Sequence, residues 1–224
     1  MPSTVRSAAG ALLLATLLTV DAPAAWLDSG WDQRLEITAQ PTLIAGGATF
    51  SDFTLLLELN ATNAAAAFAG AKADASDLVM TAGDGATQLG LEVVTYDPVA
   101  ERAELWFKAT TLSPTDNLFY LYFDNPDTTV ARGQGDAWTT DHIGVFHFDQ
   151  DPSLGVLEDS SPHDNFATTG TAASMWTSGD VIAGQIGQGW LMNGETHFID
   201  ADNVQSAEES FTISAWFALS NLNT

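Results

Sequence analysis

The chain has no cysteine, which excludes disulfides, thiolate metal ligands and thiol nucleophiles. It has very little positive charge: six Lys and Arg stand against 29 Asp and Glu, for a formal net charge of −23. Such a surface repels phosphate backbones, so nucleic acid is excluded as a partner class. Anionic membrane faces are disfavoured for the same reason. The four histidines, His142, His147, His163 and His197, form neither H-E-x-x-H nor a helical two-His pair, so zinc has no ligand set. Beyond the first 25 residues no apolar run approaches the ~20 residues of a membrane helix, and no membrane insertion of the mature chain is expected.

What is present is a substantial apolar fraction, 46% of 224 residues, with seven tryptophans. That is enough for one large or two small cores rather than a disordered tail. Of the acids, 20 are Asp. Two readings stand side by side: solubility in salty surroundings, where screening weakens self-repulsion, and binding of a divalent cation by short, hard oxygen ligands.

Residues 1–25 read as a signal peptide. Arg6 supplies the positive n-region, Ala8–Val20 the apolar h-region, and Ala22-Pro23-Ala24 the small residues before a cleavage after Ala24 or Ala25. Asp21 ends the apolar run too early for an anchor. The expected destination is the periplasm or cell surface of a Gram-negative bacterium, which the lack of cysteine fits.

The rest of the chain is punctuated by strand signals. In Gln33–Ala39, Leu35 and Ile37 alternate with Arg34 and Glu36; Phe53–Leu59 is a denser run. Leu89–Tyr96 and Arg102–Ala109 flank a turn at 97–101, and Leu118–Phe123 stops at Asp124-Asn125-Pro126. The alanine-rich stretch 63–74 predicts one short helix. Further strands are expected at Gly144–Phe148, Gln188–Met192, His197–Ile199 and Phe211–Leu219. The fold class is therefore all-β: an N-terminal β-sandwich-like domain over 26–130, a linker at 131–143, and a second domain over 144–224. The last strand comes so near residue 224 that the chain reads as the front part of a longer protein.

The opening Trp26-Leu27-Asp28-Ser29-Gly30-Trp31 with Arg34, the strand Ala103–Lys108 (AELWFK), and Tyr120–Pro126 (YLYFDNP) resemble a bacterial extracytoplasmic domain of unknown function. The family opens with two tryptophans and a basic residue and closes on a YYGNP-like element; here Phe123 and Asp124 replace its Tyr and Gly. From Gly144 the stretches GVFHFD, Asp159-Ser160-Ser161, Gly187–Trp190 and Phe211–Trp216 resemble the first half of a laminin-G-like, concanavalin-type jelly roll. In that jelly-roll family the DSSGN turn carries a Gly that Pro162-His163 replaces here. The pairing implies either an adhesin-like surface protein or an ectodomain joined to a TolQ/ExbB-type proton-channel protein. It also implies a calcium held at a loop rim, for which Asp149, Asp151 and Asp159 are the candidate ligands.

Asp159-Ser160-Ser161-Pro162-His163 holds the residue types of a hydrolase triad, but neighbours in sequence rarely reach triad geometry and no G-x-S-x-G elbow exists; an Asx-type turn on Asp159 is expected instead. A glycosidase needs two carboxylates ~5–10 Å apart on one concave face. Asp200 and Asp202 have the spacing but lie in polar sequence, and Glu208 and Glu209 point apart if extended. His147, in an apolar stretch, is expected to be a hydrogen-bonded core residue. Trp106, Trp190 and Trp216 are candidate sugar-stacking platforms, with burial as the competing fate; Trp26 and Trp31 are expected to pin the first strand. The expected function is a non-catalytic exported module that binds a glycan or an envelope or surface protein, with calcium as the candidate cofactor. The competing expectation is an enzyme whose active site lies past residue 224.

Overall fold

The computed structural model describes residues 14–15, 25–169, 176–201 and 210–219. The fold is all-β, with antiparallel sheets and a single α-helix among the described residues. The chain divides into two compact units, Gly10–Asp141 and His142–Thr224.

In the first unit, one sheet runs β1-β2-β7-β4, from Leu14–Ala15, Gln33–Thr38, Leu118–Phe123 and Val79–Ala82. The other runs β3-β6-β5, from Phe50–Asn60, Arg102–Leu112 and Leu91–Asp97. Period-two alternation aims the apolar sets of both sheets at one core. Leu35 and Ile37 of β2 oppose Leu121 and Phe119 of β7, while Leu55 and Leu57 of β3 oppose Phe107 and Leu105 of β6. All eight are buried in one cluster. The Phe107 and Phe119 rings meet edge-on at 5.0 Å across the gap between the sheets, an arrangement aromatic quadrupoles favour. This is a β-sandwich.

A bulge in β5 between Val93 and Thr95 shifts its register against β6. The extra residue reverses the strand's phase, so Tyr96 rather than Thr95 turns to the core. There it stacks on Phe68 at 5.6 Å and donates its hydroxyl to the Ala67 carbonyl.

Both of those partners belong to helix α1, Ala61–Gly70. Asn60 and Asn63 cap it reciprocally: the Asn60 side chain accepts from Thr62 N and Asn63 N, and Asn63 Oδ1 accepts from Asn60 N. The helix thus lies over 61–70 rather than 63–74. Its end is set by the buried Asp77, whose Oδ1 takes the Lys72 N–H at 2.9 Å and turns the chain away. β4 carries no alternation because both its faces are covered, and the sequence pattern does not predict it.

The stretch read as a linker packs on the outer face of the β3-β6-β5 sheet. Thr54 Oγ1 donates to Ala137 O at 2.6 Å, and Trp138 lies buried against Trp106 at 5.1 Å. Gly90 permits the approach: a Cβ there would sit 1.9 Å from the Asp136 carbonyl oxygen.

In the second unit the ladders are short. β8 (Val156–Leu157) pairs with β9 (Ala167–Thr168), and β10 (Val181–Ala183) with β11 (Gln188–Trp190). Leu157, Ala167, Trp176 and Trp190 form its core. Gly144–Phe148 and Phe211–Leu219, expected as strands, lie in no regular element. A strand exists only where a partner completes its ladder, and for 211–219 none is present among the described residues.

Candidate functional site

The basic residues of the first unit show where the chain spends its few cations. Arg34 Nη1 donates to Ala25 O, Lys72 Nζ to Thr128 O, and Lys108 Nζ to Trp138 O; Arg132 Nη2 donates to both Ala75 O and Leu78 O. Each thus fastens a non-strand segment onto the sandwich by a charge-assisted bond to a main-chain carbonyl.

Arg34 does more. Its guanidinium lies 4.0 Å from the Tyr120 ring centroid and 4.6 Å from that of Trp26, and Nη1 reaches the Tyr122 hydroxyl at 2.7 Å. Trp26 Nε1 donates to Trp31 O, and Trp31 Nε1 to Asp77 O. The paired tryptophans and the arginine of the opening segment therefore form a self-filled aromatic clamp over the outer face of β2 and β7. This matches the pinning role expected of Trp26 and Trp31.

Lys108 and Arg132 converge instead on a cleft of about 360 Å³. Its walls are β4, the Gln88–Leu91 crossing into β5, and the return segment Val130–Asp136. The volume lies within the ~300–1,000 Å³ range of small-molecule sites. Apolar side chains such as Leu89 and Val130 line it, with Gln88 and Asp136 as further polar groups. Arg132 Nε is buried with no hydrogen-bond partner in the protein. Burial pulls the Arg132 pKa below its usual value, while Asp77 and Asp74 oppose that fall. Asp136 also lines the cleft, and its Oδ2 accepts from Gly133 N.

The residues singled out in the sequence fall elsewhere. Trp106 is half-buried under Trp138 and donates to Glu104 Oε1 at 3.0 Å. Trp190 is buried between Phe148 and Trp176 and donates to Gln150 O; it is a core residue rather than a platform. Trp216 is 71% exposed on a segment outside any strand. The three tryptophans do not come together in one element or ladder.

The acids are likewise dispersed in role. Asp159 is buried, and its carboxylate accepts from Val145 N, Ser161 N, Ser161 Oγ and Asn165 N. This is the expected Asx-type turn, extended into a hub for two loops. Asp151 caps the short turn 152–154 through Ser153 N, and Asp149 accepts from the Gln150 amide. No three His, Asp or Glu side chains converge as a metal-holding group among the described residues. Asp202, Glu208 and Glu209 lie outside the described residues, as does the leader apart from Ala25 and the backbone of Leu14–Ala15.

Lys108 was legible only as the last residue of the AELWFK strand and Arg132 lies outside every quoted motif, so neither was marked as a site residue. The usable signal was scarcity: of only six bases in the chain, four bond main-chain carbonyls. Among the described residues no helix is long and apolar enough to cross a membrane. No family model, curated protein or solved structure matches this chain.

Proposed function

We propose that this protein is a non-catalytic recognition module exported to the periplasm or surface of a Gram-negative bacterium, where it binds glycan. The observation that carries the reading is the cleft beside β4. It is concave, of small-ligand size, and furnished with hydrogen-bond donors and apolar walls. No paired carboxylates or activated nucleophile lie on its lining. The resemblance to an extracytoplasmic domain followed by a laminin-G-like jelly roll supports the location and the recognition role.

The cleft's lining carries one carboxylate, Asp136, so glycan binding there is expected to be independent of calcium. The test is a glycan array probed with the whole chain, with and without a chelator. Binding to a defined set of glycans in both conditions is the expected result. Absence of binding in both removes the glycan reading, and binding abolished by chelation returns the calcium assignment to Asp149, Asp151 and Asp159.

A further inference from the structure

We propose that the cleft bounded by β4, the Gln88–Leu91 crossing and the Val130–Asp136 return segment takes the carboxylate of an acidic sugar, a uronate, between Arg132 and Lys108. The inference rests on the recognition reading and names its ligand class. Its first support is an accounting of donors. A guanidinium carries five N–H groups and an ammonium three. Arg132 commits Nη2 to the Ala75 and Leu78 carbonyls, at 2.7 and 3.0 Å, and leaves Nε buried without an acceptor from the protein. Lys108 commits one bond, to Trp138 O at 3.1 Å. A charged donor left short of acceptors is costly, and a carboxylate in the cleft would supply acceptors to the remaining N–H groups of Arg132 and Lys108, both of which line it.

The second support is charge. With a net charge of −23, most of the surface repels anions. Two of the chain's six bases and a single carboxylate, Asp136, line this cleft, so its lining carries one net positive charge on a chain that is otherwise strongly acidic. The same long-range repulsion discriminates among anions: a carboxylate carries one negative charge and a phosphate monoester close to two. A planar carboxylate also matches the fork of a guanidinium. The remaining lining suits a sugar ring, with Gln88 and Asp136 for hydroxyls and the aliphatic faces of Leu89 and Val130 for its C–H surface.

The test uses the whole chain and oligogalacturonate, with a neutral galactan oligomer of equal length as control and inorganic phosphate as competitor. Binding is read by calorimetry. The acidic oligomer is expected to bind, the neutral one at least about tenfold more weakly, and Lys108→Gln to weaken the acidic oligomer by about tenfold. Circular dichroism confirms that the variant folds. A second measurement needs no variant. The chain holds only two lysines, Lys72 and Lys108, so protection from an amine-acylating reagent is read directly by mass spectrometry. The uronate should shield Lys108 and leave Lys72 unaffected. Equal binding of the neutral oligomer, undiminished binding by a folded Lys108→Gln, displacement by phosphate at equal concentration, or unchanged acylation of Lys108 overturns the assignment. Glycans that bind without those signatures leave the recognition reading standing and sink only this site; no glycan binding at all sinks both.

Discussion

Asp77 is fully buried, and three separate stretches of chain meet on it. Its carboxylate accepts from Lys72 N and Asn125 N, and its carbonyl accepts from Trp31 Nε1. Removing the carboxylate leaves two main-chain donors short of acceptors, so Asp77→Ala is expected to lower stability by ~2–4 kcal/mol in urea unfolding. Asp77→Asn keeps one acceptor oxygen and should lose less. Tyr96 makes a pH prediction. Burial, with the nearby charge of Asp77, raises its phenol from 10.0 to about 12. The fold therefore favours the neutral phenol: its contribution is complete below pH 10 and disappears as pH rises toward 12. Because the ring is partly exposed, solvent screening holds the loss to about 1 kcal/mol or less. Tyr96→Phe should flatten this alkaline limb of a stability–pH curve; an unchanged limb would mean that another group governs it.

At the scale of elements, the clamp over β2 and β7 ties the Ala25 carbonyl to the sandwich. The Ala25 carbonyl accepts from Arg34 Nη1 at 3.2 Å and Tyr122 Oη at 3.4 Å. Gly85, at φ +73°, makes room for it, since a Cβ there would lie 2.1 Å from that oxygen. Cleavage after Ala24 preserves this contact and cleavage after Ala25 destroys it. Intact mass of material secreted from a Gram-negative host is expected to begin at Ala25; a chain beginning at Trp26 contradicts the clamp argument, and an unprocessed chain contradicts export. Arg34→Lys retains charge but loses the flat stacking surface over Tyr120 and Trp26, so a loss of ~1–2 kcal/mol is expected in thermal or urea unfolding. These elements differ in how openly the sequence declares them. β2 and β6 were legible because one face is apolar and the other polar. β4 was not, since burial on both faces erases alternation, and the bulge in β5 reverses a phase that simple alternation assumes. The candidate cleft was illegible for a related reason: an unmet guanidinium N–H is a property of packing, and only the rarity of bases hinted at it.

Across the whole molecule, charge and core are distributed unevenly. Four bases of the first unit, Arg34, Lys72, Lys108 and Arg132, bond to carbonyl dipoles, contacts that act at short range, whereas its carboxylates repel one another over distances that salt shortens to ~8 Å at physiological ionic strength. Added salt should therefore weaken repulsion more than it weakens these fastenings, and the melting temperature of the first unit is expected to rise with sodium chloride. The two units differ more sharply in burial. The sandwich of Gly10–Asp141 shares one core across both sheets and the helix. Among the described residues of 142–224, Leu157, Ala167, Trp176 and Trp190 form the buried cluster, while Phe211, Ile213, Trp216 and Phe217 are each at least 71% exposed. Local opening is easiest where few apolar contacts must be broken and ladders are two or three residues long. Under limiting protease, cuts should therefore fall first within 142–224, with Phe211–Leu219 among the earliest sites, and leave a resistant fragment that ends near Asp141. The mass of that fragment is the decisive reading. An early cut between residues 130 and 141 would show that the return segment opens from the sheet, and it would dismantle the cleft that Arg132 and Lys108 line.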